Sequence, residues 1–284
     1  MEQVAKRPSR PVVPYFGGKW KIADWICQHI PKHHTYVEPF GGAASVLMRK
    51  APAKVEVYND LGQEIVNLFR VLRNRQAATE LQRLLRLTPY SRQEWIDCHE
   101  RISDPVEQAR RTVVISVMSC NAGKAIRRQS NGWKSHSKRH THPQSFARHT
   151  EALSEVVDRL KGCIIENRAA MDVMKQHDGS ETAFYVDPPY LSSERKDQRE
   201  MYAIEKLTAE EHKDLSVFLK TLNGSVILSG YPSQEYKDWF ESEGWEVFST
   251  KSSDGSSQKG KSMRTEVLWL NPKAADSQRQ KLIF

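Results

Sequence analysis

The apolar positions fall into two periods that alternate along the chain. Ile22, Trp25, Ile26 and Ile30 recur at helical spacing, so an amphipathic helix is expected after Gly17-Gly18. Tyr36-Val37-Glu38 and Lys54–Asp60 read as short strands, the first ending at Pro39 and a glycine turn, the second in an acid. From Ile65 to Leu87 the spacing is mostly helical and continues to about Arg101, with a break at Asp104-Pro105. The run Val113-Val114-Ile115 fits a helix core or a strand, and periodicity leaves both open. The α/β pattern then resumes. Strands are expected at Gly162–Asn167, Phe184–Val186, Ser225–Tyr231, Trp245–Thr250 and Thr265–Leu270, and helices at Ala169–Gln176, Ala209–Leu222 and Ser233–Glu241. Residues 1–10 read as a flexible basic tail, Ser192–Tyr202 as a mobile loop, and Ser252–Ser262 as disordered.

Composition narrows the class. The 284 residues have a mean hydropathy of −0.65, and no apolar run approaches the roughly 20 residues of a membrane span. There is no apolar signal core at the N-terminus. Cys27, Cys98, Cys120 and Cys163 are scattered, which argues against a zinc site or disulfide framework and for a reducing cytoplasm. The net charge of +8 is local. No acid occurs between Glu107 and Glu151. That stretch holds Arg110, Arg111, Lys124, Arg127, Arg128, Lys134, Lys138, Arg139 and Arg148, and without these nine cations the chain would carry about −1. Such a block reads as a phosphate-binding surface. Within it Asn121, Lys124, Arg127, Arg128, Asn131, Lys134, Lys138 and Arg139 are side chains of the kind that contact phosphates and base edges. Trp133 is a candidate to stack on a base or wedge between bases.

The sharpest chemical signal is Asp187-Pro188-Pro189-Tyr190 directly after Phe184-Tyr185-Val186. A proline has no N–H to continue a central strand, so the strand must stop and present a carboxylate, a rigid turn and an aromatic ring at one edge of a sheet. Ligands of open α/β sheets bind at the carboxyl ends of the strands. The set suits methylation of an exocyclic amine on a planar base. Such an amine is a poor nucleophile because its lone pair is delocalised. A carboxylate and a carbonyl accepting from its two N–H groups would favour the tetrahedral nitrogen, while the ring stacks on the base. Glu38-Pro39-Phe40-Gly41-Gly42 is a strand–turn–helix entry of the kind that binds a nucleoside-bearing cofactor, although it lacks G-x-G-x-x-G. Asp60 lies twenty residues after Phe40, near the spacing of a ribose-binding acid; the alternative is a helix N-cap for Leu61–Leu72. In Pro14-Tyr15-Phe16-Gly17-Gly18-Lys19 the glycine turn would let backbone approach a ligand, and Lys19 would add charge for a carboxylate.

In this order, the Gly-Gly-Lys segment, Glu38–Gly42, Asn59-Asp60, the basic insert, Asp187–Tyr190 and the closing Arg264-Thr265-Glu266-Val267-Leu268-Trp269 resemble the Dam-type (D12 class) DNA adenine-N6 methyltransferases, in the alpha arrangement. The resemblance covers nearly the whole chain apart from the tails. It implies an α/β fold, the Rossmann-like seven-stranded sheet of S-adenosylmethionine-dependent methyltransferases with helices on both sides and a mostly helical target-recognition insert. It implies a catalytic core at residues 1–75 and 161–284 and the insert at 76–160. It also implies that Tyr15, Gly17, Gly18, Lys19, Glu38, Pro39, Phe40, Gly41, Gly42, Asp60 and Asp187 line the pocket of S-adenosyl-L-methionine. Asp187, Pro188, Pro189 and Tyr190 would handle the base. The expected protein is a cytoplasmic monomer acting on duplex DNA without metal, with any cognate restriction endonuclease encoded separately. The turn Phe-Gly-Gly-Ala departs from a family that commonly has a third glycine, and Cys120 stands before Asn121 where an aromatic is found. The alternatives are transfer to adenine in RNA, transfer to cytosine N4, a silent nucleic-acid-binding module of the same fold, and a nicotinamide oxidoreductase. Aspartate rather than serine at position 187 favours adenine over cytosine, and the absent G-x-G-x-x-G disfavours the oxidoreductase.

Overall fold

The computed structural model describes residues 7–120, 132–135, 141–190, 207–253 and 263–281. Its strands are β1 (Thr35–Glu38), β2 (Val55–Asn59), β3 (Cys163–Glu166), β4 (Thr182–Val186), β5 (Ser225–Gly230), β6 (Glu246–Ser253) and β7 (Met263–Leu270). They form a seven-stranded sheet in the order β3-β2-β1-β4-β5-β7-β6. β1 runs parallel to β2 and β4, and β4 parallel to β5. β7 is antiparallel to both β5 and β6. Every residue of β4 and β5 is buried, as expected of parallel strands covered on both faces. This is the α/β sheet that the sequence predicts.

The described helices are α1 (Ala23–His29), α2 (Ser45–Arg49), α3 (Gln63–Arg73), α4 (Arg75–Leu87), α5 (Arg92–Asp97), α6 (Pro105–Met118), α7 (His142–Arg159), α8 (Ala170–Gln176), α9 (Ala209–Thr221), α10 (Gln234–Phe240) and α11 (Pro272–Lys281). The expected helical stretch from Ile65 is cut at Asn74, which leaves the helical region and accepts from Ala77 N at 3.0 Å as the N-cap of α4. Asp104 caps α6 in the same way, with Pro105 in its first turn. The ambiguous run Val113–Ile115 is helical. From Thr112 to Met118 every residue of α6 is buried, so the apolar positions there carry no stripe. Its hydroxyls are satisfied within the helix, Thr112 donating to Gln108 O at 2.9 Å and Ser116 to Thr112 O at 2.6 Å.

Contacts divide the chain into two compact units. One comprises the chain up to Trp20, Gly42–Lys50 and Gly62–Asn167; the other comprises Lys21–Gly41, Ala51–Leu61 and Arg168 onward. In the first, α3, α4, α6 and α7 pack together. α3 buries Ile65, Leu68, Phe69 and Leu72 there. The N-terminal stretch is also less free than a tail. Ser9 donates to Glu155 through its backbone N (2.7 Å) and hydroxyl (2.6 Å), and Val12 and Val13 are fully buried. The second unit has a core of Val37, Phe184, Val226, Leu228, Leu215 and Trp269, among others. Sequence patterning did not predict α11. It follows Asn271, whose carboxamide accepts from Val226 N and Ala274 N and donates to Gly224 O, each at 3.0 Å. The segments read as a loop at Ser192–Tyr202 and as disordered at Ser252–Ser262 lie largely or wholly outside the described residues.

One buried side chain fixes how the strands end. Asn59, the last residue of β2, donates to Pro39 O at 2.8 Å and Arg168 O at 3.0 Å, and accepts from Arg168 N at 2.9 Å. Asn59→Ala would leave these backbone groups unpaired in a dry interior. A loss of about 2–4 kcal/mol in unfolding free energy is expected, as measured by urea titration.

Candidate active site

β1 leads outward to β2, and its other neighbour β4 leads outward to β5, so the strand order reverses between β1 and β4. Chains leaving the carboxyl ends of two such strands diverge and open a crevice. In this molecule β1 ends at Glu38 and β4 at Val186. The register pairs Val37 with Phe184, so Asp187 stands two positions beyond the level of Glu38, roughly 7 Å further along the strand direction. β2 delivers Asp60 next to the β1 exit, and β5 delivers Tyr231 next to the β4 exit. The strongest motifs in the sequence thus meet along one sheet edge.

The glycine turn after β1 is shaped by close packing. Gly41 N donates to Asn59 O at 2.8 Å. A Cβ on Gly41 would lie 2.2 Å from the Tyr58 ring, so only glycine fits there. Phe40 packs on the core. Glu38 is 2% exposed and accepts from Tyr36 Oη at 2.6 Å. Burial first, and then the charge of Glu38, hold the Tyr36 hydroxyl far above its ordinary value, so Tyr36 remains a donor. Asp60 is 7% exposed. Helix α3 starts at Gln63 with Gly62 at its N-cap, so Asp60 does not cap it.

After β4, Pro188 is buried and Asp187, Pro189 and Tyr190 are half-buried. Tyr190 donates to Glu266 Oε2 of β7 at 3.0 Å. Its ring meets Tyr231 edge-on, with centroids 4.4 Å apart. Arg264 donates to Tyr231 Oη at 3.0 Å. Burial, then the charges of Asp187 and Glu266, push the Tyr190 hydroxyl well up. Tyr185 is pushed up by burial and then by Asp187. Beneath the turn lies His212 of α9, 1% exposed, with Nδ1 3.0 Å from Tyr236 Oη. Burial lowers its pKa to about 4, opposed by the Pro189 carbonyl. Sequence reasoning missed His212, Tyr231 and the role of Glu266. Each stands far from Asp187 in the chain, and only strand pairing and helix packing bring it there.

The remaining candidates lie in the helical unit. Lys19 is 5% exposed and donates from Nζ to Gly17 O at 2.8 Å, closing its own turn; Gly17 takes a left-handed φ of 73°. Gly18 N donates to Tyr15 O at 3.3 Å. The Tyr15 ring lies over Gly42, where a Cβ would come within 2.9 Å of it. Ala44 adopts a φ of 51°, a conformation that favours glycine.

Part of the basic insert proves structural. Arg110 binds both Glu107 oxygens at 2.7 Å as well as Glu94. Arg111 binds Glu107 at 2.9 Å and the Asp97 and Glu100 carbonyls. Gly132–Lys134 pairs antiparallel with Met118–Cys120. The Trp133 ring is half-buried between the Arg92 guanidinium (4.9 Å from its centroid) and Tyr90 (5.6 Å), so it packs within the unit where a base-stacking role was expected. Lys134 donates from Nζ to Val117 O at 2.9 Å, and burial lowers its pKa. Asn121, Lys124, Arg127, Arg128, Asn131, Lys138 and Arg139 lie outside the described residues. Among the described residues, no group of three or more His, Cys, Asp or Glu side chains is arranged to hold a metal ion, and no helix is long and apolar enough to cross a membrane.

Comparison with known proteins converges on one family. The model of the D12 class N6 adenine-specific DNA methyltransferases matches residues 15–253. The chain is similar to the DNA adenine methylase of Escherichia coli (strain K12), with 21% identity over 251 residues, covering 83% of this chain and 85% of that protein. It is equally similar to the DNA adenine methylase of Salmonella typhi, with the same identity and coverage.

His212 makes stability depend on pH. Its folded pKa lies below the ordinary histidine value, so the unfolded chain binds the proton first. Its contribution is complete above about pH 6.5 and is lost as pH falls towards 4, by on the order of 3 kcal/mol. In urea titrations the stability advantage of the wild type over His212→Gln should therefore shrink by about 2–3 kcal/mol between pH 7 and pH 4.5. An equal advantage at both values would contradict this.

Proposed function

The chain belongs to the D12 class N6 adenine-specific DNA methyltransferases, and from that premise we propose that it transfers a methyl group from S-adenosyl-L-methionine to N6 of an adenine flipped out of duplex DNA at a specific sequence. The observation that carries the reading is the convergence of Asp187-Pro188-Pro189-Tyr190 with Glu38 and Asp60 at the reversal of strand order.

The donor set fits this cofactor. Glu38 and Asp60 are buried carboxylates beside Asp187, a field that favours a cation and accepts from hydroxyl and ammonium groups. The pyrophosphate of a dinucleotide would be repelled there, in keeping with the missing G-x-G-x-x-G. In our reading Asp60 accepts from the ribose, and Glu38 with the Pro39-Phe40-Gly41 turn holds the amino-acid part. The resemblance, rather than any distance, adds Tyr15, Gly17, Gly18, Lys19 and Gly42 to the same role. When bound, S-adenosylmethionine supplies an electrophilic methyl group on a sulfonium sulfur.

The protein's part is positioning and proton handling. The Asp187 carboxylate and the Pro188 carbonyl accept from the two N–H bonds of the amine, which turns its lone pair out of conjugation. These bonds strengthen as positive charge builds on nitrogen, so they stabilise the transition state more than the ground state. Asp187 holds the proton that the nitrogen sheds. Tyr190 covers the base face, and the rigid Pro188-Pro189 turn keeps carboxylate, carbonyl and ring in fixed relation. The DNA backbone is met by cations of the insert, chiefly Lys124, Arg127, Arg128, Lys138 and Arg139, with Asn121 and Asn131 towards base edges. The reading includes a monomer acting on duplex DNA, with any cognate restriction endonuclease encoded apart from it.

Labelled methyl transfer from S-adenosylmethionine to unmethylated duplex DNA, with duplex RNA alongside, tests the reaction. N6-methyladenine in DNA is expected, and Asp187→Ala should abolish it while cofactor still binds. Label in RNA alone would move the substrate, and undiminished transfer by Asp187→Ala would remove Asp187 from the mechanism. For the insert, Arg127→Ala with Arg128→Ala should weaken DNA binding and lower the slope of log affinity against log salt by about 2; an unchanged slope would remove those arginines from the interface.

A further inference from the structure

Glu266 is 8% exposed and stands one step past the Gly230–Val267 pair, beside the end of β5. Its carboxylate accepts from Tyr190 Oη at 3.0 Å across 76 residues of chain. Tyr231, the first residue after β5, sets its ring edge-on against Tyr190 at 4.4 Å. Tyr231 is in turn fixed by Arg264, whose guanidinium donates to Tyr231 Oη at 3.0 Å and lies 5.7 Å from the ring centroid. The Trp269 and Tyr236 rings close over Gly230, where a Cβ would come within 3.2 Å of the one and 3.1 Å of the other.

From this geometry we propose that Glu266 is a positioning residue for Tyr190, and that Tyr231, held by Arg264, is the second wall against which the Tyr190 ring is set. This rests on the reading above, in which Tyr190 stacks on the target base. The two prolines before Tyr190 fix their own φ but leave its χ1 and χ2 free. A ring that must meet a flipped base face to face has to be pre-set, because any rotamer freedom is lost on stacking. A hydrogen bond at the hydroxyl end and an aromatic edge on its flank together remove that freedom. Both come from β5 and β7, strands distinct from the one that delivers Asp187.

The task is orientation, so it depends on the hydrogen bond and not on the carboxylate charge. In a double-mutant cycle read by methyl transfer to duplex DNA, Tyr190→Phe and Glu266→Ala should each lower kcat about tenfold, with the KM for S-adenosylmethionine unchanged. The double variant should fall no further than either single one. Glu266→Gln keeps an oxygen acceptor and should stay within about threefold of wild type. The fluorescence of 2-aminopurine at the target position should rise in Glu266→Ala, where the extruded base is stacked less well. If the two losses multiply, or Glu266→Gln is as impaired as Glu266→Ala, Glu266 acts through its charge and the proposal fails, although wild-type methylation of adenine still stands. If wild type itself methylates no adenine in DNA, the underlying reading fails and this inference falls with it.

Discussion

The hydrogen bonds of Asn59 are the interaction on which the geometry of the sheet edge depends. A buried carboxamide at the end of β2 joins the exit of β1, through Pro39, to the turn at Arg168. Parallel strands present their carboxyl ends together, but backbone leaving them has no ladder partner and must find others. Asn59 supplies those partners in a single side chain. The Gly41 amide returns to the Asn59 carbonyl, so the glycine turn is fastened from both sides. The ring of Tyr58 fills the space that a side chain at position 41 would need, which makes the turn both tight and bare.

On that frame the site is built from acids and tyrosines, with few groups of other kinds. Glu38, Asp60 and Glu266 are each under a tenth exposed, and such burial is costly unless hydrogen-bond donors or a cation answer the charge. Tyr36 answers Glu38 and Tyr190 answers Glu266. Both hydroxyls are pushed up by burial and neighbouring carboxylates, so they stay protonated and serve as donors. A cationic methyl donor and an amine that gains positive charge during reaction suit the same field.

The helical unit shows how misleading a count of cations can be. Arg110 and Arg111 are held by Glu94 and Glu107, and they join α5 to α6. Lys134 is drawn inward to the Val117 carbonyl, and Trp133 is fixed between Arg92 and Tyr90. Charge in a sequence has no direction, whereas charge in a folded unit has already chosen its partners.

Much of this was legible in the chain. The alternation of apolar runs with turns marked the seven strands, most sharply β4 and β5, because parallel strands covered on both faces need continuous apolar segments. The same punctuation marked Glu38, Asp60 and Asp187, since residues that end central strands sit at the ligand-binding edge. What periodicity could not resolve was the second half of α6, where every residue from Thr112 to Met118 is buried and no polar face shows, and α11, which depends on Asn271 reaching back to Val226 and Gly224. Tertiary structure alone decided that Glu266 meets Tyr190, that His212 underlies Pro189, and that Lys134 turns in to the Val117 carbonyl. Those contacts span 17 to 76 residues and arise from strand order, register and packing, whose energies belong to pairs of segments and leave no trace in either segment read alone.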